Sequence, residues 1–306
     1  MKKKILIAAS ARYRGYYLLF LPVAVFFLIF AYLPMCGLVI AFKDYNVFDG
    51  IFQSPWAESM GMQHFISFLS DSKFWEVAGN TLIISAYKLI FCFPAPIILA
   101  LLMNEMKVRS LQRGIQTILY IPRFLSWAII GGIVASMLSV NTGFVNLVLN
   151  FMGQDAVNFL GEPQYFRTIV IVSDIWKGAG WGSIIYFAAL GSVNAELYEA
   201  ARIDGAGRFR QMWHVSLSGI RGTVILMFIL AISNVLNAGF DQIFVLYTPA
   251  TYETGDIIDT YLYRMGLRNG QYSYAAAMGL FKSVIGMGML FGGNALSKKI
   301  GGEGMF

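Results

Sequence analysis

Six stretches of about 25 residues, nearly free of charge, recur along the chain: about 16–42, 78–103, 115–139, 167–191, 221–247 and 272–296. At 1.5 Å per residue each would form a helix of ~37 Å, longer than the ~30 Å hydrocarbon core of a bilayer. The expectation is an all-α membrane protein whose six spans tilt, kink or protrude. Composition agrees: 57% of the 306 residues are hydrophobic and 13% charged, against roughly 45–50% and 25% in soluble proteins. A chain spent on bilayer-crossing helices reads as one bundle, a single transmembrane domain over 1–306, rather than two soluble domains.

Orientation follows from the connections. Fourteen Lys and Arg fall on the side of the N-terminus, the second and fourth connections and the tail, and five on the other side. By the positive-inside rule both termini are cytoplasmic, as is the connection at about 192–220. The net charge of +6 therefore reflects topology and gives no case for nucleic acid. The start, MKKKILIAASARYRG, imitates a secretory signal, but its apolar centre is shorter than the ~7–15 residues required. It reads as a retained cytoplasmic tail. Cys36 and Cys92 lie inside apolar runs and behave as small hydrophobes, reporting no redox compartment.

Within the spans, Pro22, Pro34, Pro94 and Pro96 remove backbone donors and should bend the first two helices. Gly178 and Gly182 in the fourth span, and Ala275, Gly279 and Ser283 in the sixth, offer small faces for close helix packing. In the long outer connection 44–77, Phe65, Phe68, Phe74 and Trp75 have the spacing of a helix lying in the interface.

The inventory for catalysis is poor. His64 and His214 are the only histidines and fall on opposite faces. No HExxH, paired-cysteine or GxxxxGK[ST] pattern occurs, so metal hydrolysis and nucleotide binding by this chain are unsupported. The glycine-rich GAGWG at 178–182 lies within a span, with no strand before it. Neither an enzyme, a metal site nor a cofactor held by this chain is expected.

The polar connection SVNAELYEAARIDGAGRFRQMWHVSLSGIRG carries more information. Asn194 is placed to cap a short helix with Glu196 in its first turn, and Gly205 to end it in a left-handed turn. A second short helix fits from about Arg208 to Leu217. Ala200 and Ala201 leave the first helix low enough for close approach to a partner, with Glu199 as a charge; a plain structured loop is the alternative. Glu199-Ala200-Ala201, three residues, Gly205, nine residues, then Val215-Ser216-Leu217 resembles the coupling loop of membrane permeases of bacterial ATP-binding-cassette importers, EAA-x3-G-x9-I-x-L-P. Ser218 stands where that family usually has proline; serine followed by Gly219 still allows a cap and a bend. The segments FWEVAGNTL, DIWKGAGWGSIIYFAAL, GFDQIFVLYTPATYETGDIIDTYLYRMGL and YSYAAAMGLFKSVIGMGMLF extend the resemblance to the maltose-type carbohydrate branch and, within it, the Lpl-type complex-saccharide group.

That resemblance implies a type I importer permease in a bacterial cytoplasmic (inner) membrane. It implies a second six-helix permease, two ATP-binding cassette subunits carrying ATP and Mg, and an external solute-binding lipoprotein. Glu199, Ala200, Ala201, Asp204 and Gly205 would couple this chain to the ATPase subunits, and the oligosaccharide path would alternate between inward and outward access.

Ionisable groups inside spans are costly and so are candidates for function: Lys88, Arg123, Asp174, Lys177, Asp241 and Lys282. Asp174 and Lys177 are spaced to pair on one helix face, and Arg123 to snorkel. Asn234, Asn237 and Asp241, with Gln242 beside them, would share one face of a continuous fifth span; such a stripe either glues helices or meets solute. Trp176, Trp181 and Tyr186 could offer flat faces to sugar rings, and Lys177 joins them as a path candidate. Four cations against two acids leave an excess of positive charge, to be met by acids on the partner permease, by water, or by an anionic saccharide. An ion-coupled secondary transporter working through Asp174 or Asp241 is the alternative function, but it would need no cytoplasmic docking plug.

Overall fold

The computed structural model describes residues 14–299; the N-terminal tail and the last seven residues lie outside the described part. Among the described residues the regular structure is helical, with one isolated bridge between Lys43 and Trp56. Three helices are long and apolar enough to cross a membrane, or five if each of two sharply bent pairs counts as one span. α1 covers Gly15–Phe42 and α3 covers Ser72–Asn104. Pro22 sits within an ordinary α-helical stretch, whereas a π-helical turn comes just before the later prolines: Leu28–Tyr32 ahead of Pro34, and Lys88–Cys92 ahead of Pro94. The widened turn moves the carbonyl four residues back away from the proline ring, which an α-turn would clash with.

Contacts group the chain into two units. The first holds the residues up to Ser70 with Arg264–Phe281; the second holds Asp71–Tyr263 with the segment from Lys282 onward. In the first, Lys43 is buried without a carboxylate, donating to the carbonyls of Ile51 (3.0 Å) and Phe52 (2.9 Å) and lying over the Trp56 ring. His64 bridges the Lys43 carbonyl and the Asp44 carboxylate, both at 3.1 Å. The single interfacial helix expected near here is instead divided. α2 (Gln63–Ser70) buries Phe68 against Phe281, while the Asp71 carboxylate accepts from the Lys73 amide and starts α3. Phe74 and Trp75 thus belong to the spanning helix. Gly266 packs against the methyl of Ala275, one member of the small-residue face expected there.

In the second unit α4 (Arg109–Phe124) and α5 (Trp127–Leu138) meet at a bend of 105°, so the third expected span is broken. A short α6 (Phe144–Phe151) follows. α7 (Pro163–Leu190) is the central strut and packs along the second half of α3 and along α4. Its 28 residues could cross a bilayer, but Arg167, Asp174 and Lys177 lower its hydropathy. The close approach is made by Gly180, where a Cβ would lie 2.1 Å from the Leu119 carbonyl oxygen. Of the two glycines the sequence pointed to, Gly182 abuts Pro96 and Gly178 faces open space. α8 (Ala195–Ile203) and α9 (Arg208–Gly219) follow, and α9 bends by 66° into α10 (Arg221–Ser233). The fifth expected span then stops: residues 234–239 are not helical, Gly239 has φ +101°, and α11 (Phe240–Leu246) resumes after it. α12 covers Ile258–Tyr263 and α13 covers Tyr272–Lys299.

Candidate functional site

The segment between α7 and α10 is built as its residues dictate. The Asn194 side chain accepts from the Glu196 amide at 3.0 Å and caps α8, with Glu196 in the first turn. At the other end the Gly205 amide donates to the Arg202 carbonyl and the Ala206 amide to the Ala201 carbonyl. These are the two reversed bonds that close a helix over a left-handed residue, and Gly205 has φ +75°. The Tyr198 hydroxyl to Ser216 (2.9 Å) ties α8 to α9, and the Gln211 side-chain amide, donating to the Ala206 carbonyl (2.6 Å), ties α9 to the turn between them. Ser218 remains inside α9 and does not cap α10, whose first-turn cap position is Ile220.

This tied hairpin presents Glu199, Ala200 and Asp204 to its surroundings, with Ala201 half-buried. It also presents apolar side chains that a solvated connector would not keep: Ile203 is 87% and Phe209 75% exposed. Sequence reasoning passed over both because isolated apolar residues between charges carry no periodic signal. A cleft of ≈ 550 Å³ beside α8 is lined by Glu105, Lys107, Glu199, Arg202 and Arg208 among others.

A second polar region lies at the break after α10. Because the helix ends at Ser233, Asn234, Asn237 and Asp241 do not form the helical stripe their spacing predicts. Asn234 is instead the residue that closes α10, and the exposed Asp241 sits in the first turn of α11. Asn234 and Asn237 line a cavity of ≈ 250 Å³ together with Ser85, Lys88 and Cys92 of α3. Gln242 is fully buried behind it, donating to the Val170 carbonyl (2.7 Å) and Ser173 (2.9 Å) and accepting from Lys88 (2.7 Å).

The charges pair differently from the sequence expectation. Asp174 meets Lys88 at 3.3 Å rather than Lys177. Lys177, 6% exposed, donates to the carbonyls of Pro122, Arg123 and Leu125 and lies over the Trp127 ring. Those carbonyls lie where α4 stops and its last carbonyls lose their helical partners, with Pro122 also accepting from the Leu125 amide, so Lys177 closes a helix end and leaves the candidate path. Lys282 bonds Asp259 at 2.5 Å, an acid outside the six intramembrane groups counted from sequence. Asp259 joins the acids counted from sequence, so four cations face three acids, and Lys88 and Lys282 each have a carboxylate partner within this chain. Tyr186 also leaves the path: it is buried in an apolar cluster with Ile97, Leu101, Leu190 and Ile220. Trp176 lines an apolar groove with Val134, Met137 and Val172, and Trp181 stacks edge-on to Phe124.

Residues 93–302 match the family described as binding-protein-dependent transport system inner membrane component. The chain belongs to this family. The permease is 44% identical to the protein LplB of Bacillus subtilis (strain 168) over 98% of this chain and 93% of that one. It is 41% identical to the polygalacturonan/rhamnogalacturonan transport system permease protein YteP of the same organism, over 100% and 94%. A crystal structure of a bacterial alginate ABC transporter, in complex with an alginate pentasaccharide-bound periplasmic protein, contains a chain that superposes at a TM-score of 0.89. Identity there is 39%, covering 97% of this chain and 99% of that one. The permease therefore has the type I ABC permease fold, resides in a membrane and serves as the transport subunit of a carbohydrate ABC importer; it is not a catalytic enzyme.

Proposed function

We propose that this permease forms half of an oligosaccharide path in a bacterial cytoplasmic membrane, with six spans and both termini in the cytoplasm. The other half comes from a second six-helix permease. Two ATP-binding cassette subunits, holding ATP and Mg, dock on the α8–α9 hairpin through Glu199, Ala200, Ala201, Asp204 and Gly205, and an external solute-binding lipoprotein delivers the saccharide. The carrying observation is the hairpin itself: capped, closed and internally tied, yet displaying Ile203 and Phe209. Exposed apolar side chains on a rigid projection fit a cleft on a partner. Closure of the ATPases would draw the hairpins of the two permeases together and switch the path between inward and outward access. The path itself is assigned to the break between α10 and α11, with Asn234 and Asn237 facing solute and Gln242 holding the frame behind them. The complex solved for the alginate relative, with its periplasmic protein, supports the external partner; the polygalacturonan/rhamnogalacturonan of YteP and the alginate of the solved transporter support a complex saccharide as cargo.

A tag on this chain should recover a second permease and ATPase subunits from its host, and saccharide-loaded binding protein should stimulate ATP hydrolysis by that complex. Ala201→Trp should leave the spans inserted but weaken recovery of the ATPase subunits and remove the stimulation. Recovery of the chain alone, with uptake driven by an ion gradient, would favour a secondary transporter.

A further inference from the structure

α4 carries a pattern foreign to a helix sunk in lipid. Arg109, Gln112, Arg113, Gln116, Tyr120 and Arg123 recur at helical spacing and fall within about a third of its circumference; none of the six is buried. The opposite face is apolar, and Leu111, Ile118 and Ile121 on it are each more than half exposed, which suits contact with lipid.

Contacts within the second unit fix how deep the polar face goes. Near its start the Gln112 side-chain amide donates to the Met103 carbonyl at 3.0 Å, one residue short of the end of α3. Leu101, also at that end, packs with Leu190, the last residue of α7. α4 therefore begins at the end of the bundle that bears the α8–α9 hairpin. Its far end lies against the middle of α7: Leu119 meets Gly180, and Lys177, at the midpoint of that 28-residue helix, takes the carbonyls of Pro122, Arg123 and Leu125. Arg123 is exposed at this depth and makes no ion pair among the described residues. The nearest membrane surface is ~15 Å away, half the hydrocarbon thickness, too far for its side chain to reach. A guanidinium does not give up its proton, and a charge held at mid-depth faces the bundle interior or water.

We infer that the polar face of α4 is one wall of the water-filled half of the solute path that opens at the hairpin end, and that this water reaches inward as far as Arg123. Water satisfies the donors of Arg113 and Arg123 and the amide of Gln116, which lipid tails do not. Saccharide hydroxyls, each both donor and acceptor, replace that water along the wall without leaving a group unpaired. The inference rests on the importer reading above and adds to it a wall of the path and the depth to which it is wet.

The test is the rate at which single cysteines react with a charged methanethiosulfonate reagent, in inside-out vesicles that hold the whole importer and enclose its binding protein. Rates are taken above the labelling of Cys36 and Cys92 in the wild type. Without nucleotide, Gln116→Cys, Tyr120→Cys and Arg123→Cys should react about tenfold faster than Ile118→Cys and Ile121→Cys, because a charged reagent reaches only the wet face. With saccharide, ATP and vanadate, which arrest the ATPases closed, the three fast rates should fall about fivefold or more as that half of the path shuts. Gln116→Cys and Tyr120→Cys keep every charge, so they decide the matter where Arg123→Cys fails to assemble. Equal rates on the two faces overturn the wall. Equal rates in the two states overturn it as well, since they put α4 in the surface layer of the membrane. Either result beside ATP hydrolysis that the loaded binding protein stimulates leaves the importer reading standing, whereas hydrolysis that no saccharide stimulates removes both.

Discussion

Gly205 shows how one residue governs the α8–α9 hairpin. No atom lies within 4 Å of where its Cβ would be, so space does not explain the glycine; its φ of +75° does. A side chain in the left-handed region costs roughly 1–2 kcal/mol, and asparagine tolerates the region better than other residues. Gly205→Val should therefore tilt α8 away from its tied position and cut substrate-stimulated ATP hydrolysis of the complex several-fold, while Gly205→Asn keeps most of it. Full stimulation with valine would make the hairpin a mere connector. Residue identity matters differently at Asn234 and Asn237, where the donor-only ammonium of Lys282 sets the orientation of both amides.

At the scale of elements, the bundle depends on how its helices stop. Backbone groups inside a bilayer find no water, so a helix that ends there needs partners from the protein. α4 ends on carbonyls that Lys177 collects, and α5 restarts with the Ser126 hydroxyl accepting from the Ile129 amide. A residue of the solute path could be changed without loss of assembly; Lys177→Met should instead destabilise the bundle by about 1–3 kcal/mol, the cost of buried groups left unpaired. The measurement is the thermal midpoint of the detergent-solubilised complex, expected to fall for methionine and to be largely kept by Lys177→Arg. An unchanged midpoint with lost uptake would return Lys177 to the path.

For the molecule as a whole, the decisive quantity is which end of each helix meets the cytoplasm. Ser72 at the start of α3 and Ser110 at the start of α4 are both exposed, and the positive-inside count puts them on opposite faces. A single cysteine at Ser110 should react only with thiol reagents that enter the cytoplasm, and one at Ser72 with impermeant reagents added outside. The reverse pattern would invert the chain and place the α8–α9 hairpin where no ATPase could reach it.

Transfer to lipid is summed residue by residue along a helix, so the apolar runs, the charge bias of their connections and the capped hairpin at 194–205 were all legible in the sequence. The hairpin was readable because its cap, its first-turn acid and its terminal glycine act within a few residues of one another. The breaks were not. An apolar run has the same composition whether its helix continues or stops, and nothing local distinguishes the continuous α3, with its prolines and π turn, from the broken α10 and α11. Partner choice was equally hidden. Asp174 lies three residues from Lys177 yet pairs with Lys88, and Lys88 also donates to Gln242 across 154 residues of chain. Only packing brings such groups within 3.3 Å, and in a medium without water the nearest properly oriented donor or acceptor decides the pairing, whatever its distance in sequence.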